Sequence, residues 1–188
     1  NGDDNLYVRL KTGNHAWSAT KDKYNVYLGA GNGNDDILEV DKLWYTRPIG
    51  ENQTIWVGPK IENYYMHGTT PSIYKPVLKA FALGGNASAY GASTNAGAGW
   101  AYNADNGFAI SSNVVSDGDG GLATDESETS WATQIGYTQP QYSLSAIVNL
   151  KSNGWNDEYF QTDLGEARGG DGSSTNVGFR AWWRPAET

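Results

Sequence analysis

Residues 131–150 read WATQIGYTQPQYSLSAIVNL, and the spacing of their side chains decides the fold class. Trp131, Ile135 and Tyr137, then Tyr142, Leu144, Ala146, Val148 and Leu150, fall on alternate positions either side of the turn Thr138-Gln139-Pro140-Gln141. Between them stand Ala132, Gln134, Gly136 and Thr138, then Ser143, Ser145, Asn149 and Lys151. A helix would space its apolar residues three and four apart. A period of two belongs to β-strands with one face in an apolar medium and the other in a polar one.

The same rhythm recurs along the chain. Leu6, Val8 and Leu10 alternate with Tyr7, Arg9 and Lys11, and Tyr24, Val26 and Leu28 alternate with Asn25 and Tyr27. Leu38 and Val40 hold one phase while Leu43 and Tyr45 hold the other, which predicts a β-bulge near Asp41 and Lys42. Further strands are predicted around Ile55 to Glu62, over 96–103, over 108–115, in both arms of the opening hairpin, and over 177–184. No amphipathic helical stretch of useful length interrupts them, so the chain is all-β. Connections come in two sizes. Residues 49–52, 103–107 and 138–141 are tight turns, whereas 63–95, 116–130 and 152–174 are long and rich in Gly, Asn, Asp and Ser.

Two media would satisfy a period of two. In a soluble sheet the apolar side chains face a protein core. In an outer-membrane barrel they face lipid and the polar ones line a lumen. Composition favours the second. The 188 residues include 8 Trp and 12 Tyr but only 4 Phe, and rings with a polar handle suit interfaces better than dry interiors. A mean hydropathy of −0.59 is no obstacle, because only alternate residues of a barrel need be apolar. Predicted strands of eight to eleven residues match the roughly 9–11 that a tilted strand needs to cross a bilayer. The polar phase is rich in Gly, Ala, Ser and Thr, which leave open volume inside a barrel. Trp44, Trp100, Trp131 and Trp183 are expected near strand ends, as aromatic girdles at the headgroups.

Other features limit the reading. Pro59 falls within a strand whose ladder it would break, so a bulge or an end is expected there. The strands number nine, whereas single-chain bacterial barrels usually have an even number. The final RAWWRPAET lacks a terminal aromatic residue, and NGDDNLYV has neither the basic nor the apolar region of a signal peptide. The chain is therefore expected to be part of a larger barrel, as a single domain over residues 1–188.

At ILEVDKLWYTRPIGENQTIWVGPKIENYYM, TTPSIY, GAGWAYN and GFRAWWRP the sequence resembles cyanobacterial outer-membrane porins of the OprB-type, carbohydrate-selective or iron-uptake group. The resemblance runs in order from about Leu6 to Pro185 and rests on the ordered set, since no single element is diagnostic. It implies an antiparallel transmembrane barrel of about sixteen strands. It also implies a homotrimer in the outer membrane of a cyanobacterium, passing small hydrophilic solutes and inorganic ions by diffusion. The anchoring domain that precedes such barrels is not among these residues.

On that resemblance residues 63–95 are the constriction loop, bearing Tyr64, Tyr65, Lys75, Lys79 and other aromatic residues. The inward phases offer Arg9, Lys11, Lys60, Glu62, Lys151, Arg180 and Arg184 to the pore. Arg180 and Arg184 are the candidate basic ladder, because an arginine facing lipid near mid-bilayer would cost about 2–4 kcal/mol. They could equally pair with loop acids and brace the wall. Asp117, Asp119, Asp125 and Glu128 have something of a calcium loop's spacing, but Leu122 stands where that turn demands Gly, so a solvated acidic loop is expected and no metal or cofactor.

Catalysis finds little support: no Gly-x-Ser-x-Gly elbow, HExxH helix or Walker loop is present. The absence of cysteine excludes disulfides and thiolate metal sites, and a net charge of −8 argues against nucleic acid. The remaining alternative is a soluble β-sandwich that stacks Trp and Tyr on sugar rings.

Overall fold

The computed structural model describes residues 2–14, 34–69, 87–90, 93–117, 124–155 and 172–185. Eight strands form one antiparallel sheet in sequence order: β1 (Asn5–Lys11), β2 (Glu39–Ile49), β3 (Gln53–Glu62), β4 (Thr94–Asn103), β5 (Phe108–Asp117), β6 (Glu128–Gln139), β7 (Tyr142–Ser152) and β8 (Ser174–Trp183). Among the described residues the sheet is not closed, and β1 and β8 each have a single neighbour. The strand expected around residues 24–28 lies outside the described residues.

Tight turns join β2 to β3, β4 to β5 and β6 to β7, all at one end of the sheet, and the long connections gather at the other. Gly50 and Gly107, at φ +64° and +92°, supply left-handed backbone in two of the tight turns, where a side chain would be strained. In the third, Pro140 and Gln141 alone separate β6 from β7.

Register shows how the phases resolve. Arg9 pairs with Lys42 but Leu10 with Val40, so Asp41 is the extra residue of a bulge, where the slipping apolar phase places it. A second bulge sits at Pro59: Gly58 pairs with Gly97, yet Ile61 pairs with Asn95. A proline that cannot donate to the ladder is accommodated by the extra residue. That bulge reverses the phase of β3, so Val57 is exposed while Ile61 is fully buried.

In the opening hairpin the burial is inverted relative to polarity. Ile135 is 50 %, Leu144 56 % and Phe179, their neighbour on β8, 80 % exposed, whereas Gln134 is 1 % and Asn149 0 % exposed. Cross-strand rows keep the two faces apart: Ile110, Ile135, Ala146 and Phe179 run across one, Ser111, Gln134, Ile147 and Gly178 across the other. Leu6, Val8 and Leu10 extend the exposed apolar face to the far edge. Within the hairpin Ile147 is a large apolar residue on the polar face, and it packs with Ala132, Ala89 and Tyr90.

Candidate functional site: the covered polar face

The polar face is buried because part of the 63–95 connection lies on it. The 3₁₀ turn Asn63–Met66 rests against β3, β4 and β5, and the short helix Ala87–Tyr90 against β7 and β8. The seat is cut in glycine. A Cβ at Gly99 would come within 2.7 Å of Met66 Sδ, and one at Gly136 within 2.8 Å of Thr69 Cβ. Small residues on this face thus make room for the chain's own segment. Met66 enters an apolar cluster with Trp44, Ile61 and Val115, none more than 3 % exposed.

Uncharged hydrogen bonds hold the segment between its two ends. Gln134 grips Thr69 twice, accepting from its backbone N–H at 2.9 Å and donating to its carbonyl at 3.0 Å. The Gly68 N–H donates to Ser111 Oγ at 2.9 Å, and Ser93 Oγ donates to Ser130 Oγ at 2.9 Å. His67 links the two pieces. Its Nδ1 accepts from Asn113 Nδ2 at 3.4 Å while its Nε2–H donates to the Tyr90 carbonyl at 3.3 Å. That pairing needs the neutral ring. Burial accordingly pushes His67 down to about 4 from its ordinary 6.5, and the nearby Arg180 charge acts in the same direction.

Charge gathers on the same face at β1–β3. Arg9 binds the buried Asp41 carboxylate and, at 2.9 Å, Glu62 Oε2. Lys11 and Lys42 approach Asp41 Oδ1 at 3.5 and 3.3 Å, and Lys11 reaches Glu39 at 3.7 Å. Beside them Tyr7 and Trp44 stack at 4.0 Å. Burial next to Glu62 pushes the Tyr64 phenol well above its usual range.

The sequence-derived pore residues therefore separate. Arg9, Lys11 and Glu62 come together in the ionic cluster. Lys60 does not: the Pro59 bulge turns it to pair with Leu43, on the apolar phase, where its Nζ reaches the Val40 carbonyl at 3.5 Å. Lys151 is buried on the polar face opposite Ser130. Arg180 lies on that face with its Cζ 3.9 Å from the Tyr90 ring centre. Arg184 is exposed just past β8, its backbone N–H donating to the Gln141 carbonyl at 2.7 Å. Lys75 and Lys79 lie outside the described residues, as does Asp119. Asp117 and Glu128 are cross-strand partners at the long-loop end, and the Asp125 carbonyl accepts from Asn153.

Of the four expected girdle tryptophans, Trp131 and Trp183 are exposed on the apolar face, and the part-buried Trp100 donates to Gln53. Trp44 is a correction. It lies in the middle of β2 and is 3 % exposed, because the bulge at Asp41 sets its phase toward the polar face, where Tyr7 and Ile61 enclose it. His67, Tyr90, Gln134, Asn113, Asp41 and Lys42 were not singled out as site residues. For Asp41 and Lys42 the bulge was a usable signal; the partners of the others lie far off in sequence. No protein-family model, curated protein or solved structure matches the chain.

Proposed function

We propose that this chain forms part of the wall of an outer-membrane β-barrel porin, a passive channel for small hydrophilic solutes and inorganic ions. The inverted burial carries the reading. Side chains such as Ile135, Leu144 and Phe179 lie open on one face, while amides and hydroxyls lie covered on the other. In water that arrangement exposes a broad apolar surface, which isolated soluble domains avoid. Against hydrocarbon it is the favourable one. Strands of seven to twelve residues suit a bilayer crossing, and all the tight turns lie at one end.

The segment 63–95 acts as the constriction, and its residues 63–69 and 87–90 rest on the polar face through glycine and amide contacts. The edges of β1 and β8, which have no neighbour among the described residues, are where further strands complete the barrel, and the resemblance adds a cyanobacterial outer membrane and a trimer. A glycan-binding sandwich would need a second sheet over the apolar face; the described strands form a single sheet.

The full-length protein, extracted in detergent and added to a planar bilayer, should give discrete conductance steps. Replacing Arg180 and Arg184 with Gln should shift the reversal potential under a salt gradient toward cation preference. Full solubility without detergent, together with a silent bilayer, would overturn the porin reading.

A further inference from the structure

We infer that Gly136 sets the width of the passage: bare backbone there lets Thr69 of the constriction lie down on β6, and a side chain at 136 would lift the segment off the wall. The inference deepens the porin reading and rests on it for its transport consequence.

Three successive members of one cross-strand row, Ala109, Gly136 and Ser145, each lie under a piece of the segment. A Cβ at Gly68 would stand 3.1 Å from Ala109 Cβ, Thr69 fills the space in front of Gly136, and the Tyr90 hydroxyl meets Ser145 Oγ at 3.3 Å. Both arms of the 63–95 connection thus rest on one row of small residues. Of the three, only Gly136 lacks a side chain, and there the fit is tightest.

Thr69 makes that fit a gauge. A Cβ at 136 would come 2.8 Å from Thr69 Cβ. Rotation about χ1 carries the Thr69 hydroxyl and methyl elsewhere, but Cβ moves only with the backbone. That backbone is held to the same strand by Gln134, which accepts from its N–H at 2.9 Å and donates to its carbonyl at 3.0 Å. Gln134 and Gly136 are two residues apart and share the polar face, so one grips the main chain of Thr69 and the other receives its side chain. The wall is the stiffer partner. Register runs unbroken from β5 through β6 to β7 at this row, and β6 is hydrogen-bonded on both sides. The segment is therefore what must rise, by several tenths of an ångström before ordinary contact at 3.4 Å is regained. On the covered face, rising means moving into the lumen.

Gly99 is the contrast. The atom nearest a Cβ there is Met66 Sδ at 2.7 Å, the far end of a flexible side chain whose own Cβ is already 3.1 Å off. Met66 can repack within its apolar cluster, so a methyl at 99 displaces the segment less.

Two measurements separate this inference from the porin reading. The first needs no conductance: in detergent, limited proteolysis between residues 69 and 87 follows release of the segment. Gly136→Ala should be cut about fivefold faster or more, the factor to which the mildest overpacking converts. In a Thr69→Gly background, where the obstructing Cβ is gone, the same change should alter the rate by no more than about twofold. Equal acceleration in both backgrounds would overturn the contact even if the protein conducts. Should Gly136→Ala fail to fold, Gly136→Ala/Thr69→Gly is expected to fold, and failure of both would overturn the assignment. The second measurement is single-channel conductance with neutral polymers of graded size. Gly136→Ala should pass less current and exclude a smaller polymer than the parent, while Gly99→Ala stays nearer the parent. An unchanged cutoff in Gly136→Ala, or an equal fall in Gly99→Ala, would overturn the width role. A silent parent would overturn the porin reading together with the width role, and the proteolysis then decides whether Gly136 seats the segment.

Discussion

On β1–β3 the covered face is ionic: Arg9, Lys11 and Lys42 surround Asp41, and Arg9 also holds Glu62. On β5–β8 the same face is mostly neutral, with Ser111, Asn113, Ser130, Gln134, Ser145 and Asn149 buried around the two cations Lys151 and Arg180. The two regions also differ in what lies beside them. The ionic one adjoins Trp44, Ile61 and Met66, a dry cluster, whereas the neutral one meets a segment held by amides and hydroxyls. Charges taken out of water must be paired, so beside the dry cluster they are arranged in a network. Small uncharged groups need only local hydrogen bonds. One region is therefore built from coupled parts and the other from separable ones.

Breaking the coupled region should have the largest effect. Arg9→Gln leaves Asp41 and Glu62, which are 6 % and 1 % exposed, short of their main counter-charge. Loss of about 3–5 kcal/mol is expected, as for other buried pairs deprived of one partner. Adding Glu62→Gln should recover part of that loss, which denaturant titration in micelles can read. Strict additivity of the two substitutions would show that the cluster is not a network.

The open face should not distinguish the regions. Ile135→Arg and Val8→Arg each place a guanidinium among exposed apolar side chains, and against hydrocarbon each should cost about 2–4 kcal/mol. Folding into lipid vesicles is the measurement. Were both substitutions neutral, that face would be in water and the membrane reading would fail. A cost at Ile135 alone would confine the hydrocarbon contact to the β5–β8 side.

Gln134 tests the separable region. Gln134→Leu strands both the N–H and the carbonyl of Thr69, at an expected cost of about 1–3 kcal/mol. The loss should be confined to the inserted segment, so protease cleavage between residues 69 and 87 should quicken while sheet content, read by circular dichroism, stays unchanged. A fall in sheet content would mean that seat and wall fold as one unit.

The strands were legible because one periodicity governs every one of them, and the slip between Val40 and Leu43 even located the Asp41 bulge. Local pattern could not settle the phase on the far side of a bulge. Pro59 was visible as a misfit, but the reversal that buries Ile61 and turns Lys60 outward depends on where the extra residue is absorbed, which β2 and β4 decide together. Trp44 was misread for another reason: Leu43 and Tyr45 beside it already gave its phase, but it was expected near a strand end and lies in mid-strand. The site was less legible than the fold, because its contacts join residues dozens of positions apart, such as Thr69 with Gln134 and Tyr90 with Ser145. Gly99 and Gly136, both on the polar phase, were the trace of the seated segment that the sequence carried.

The smallest effect concerns His67, the titratable member of the neutral region's hydrogen-bond chain. Its pKa is lowered on folding to about 4, so an unfolded chain takes up the proton first as pH falls below the ordinary 6.5. The stabilisation tied to the neutral ring is thus complete above about pH 6.5 and is lost progressively toward pH 4. At pH 5 the loss should be about 1 kcal/mol, below the full linkage value because the ring is not wholly shielded from solvent. A proton on Nδ1 also turns the acceptor of the Asn113 contact into a donor, so the segment should loosen at that point rather than at the ionic cluster. Comparing proteolysis of the segment at pH 7 and pH 5 with that of His67→Gln isolates the effect. The parent should become more susceptible in acid and the variant should change less. An equal response in both would shift the acid sensitivity to the carboxylates of β1–β3.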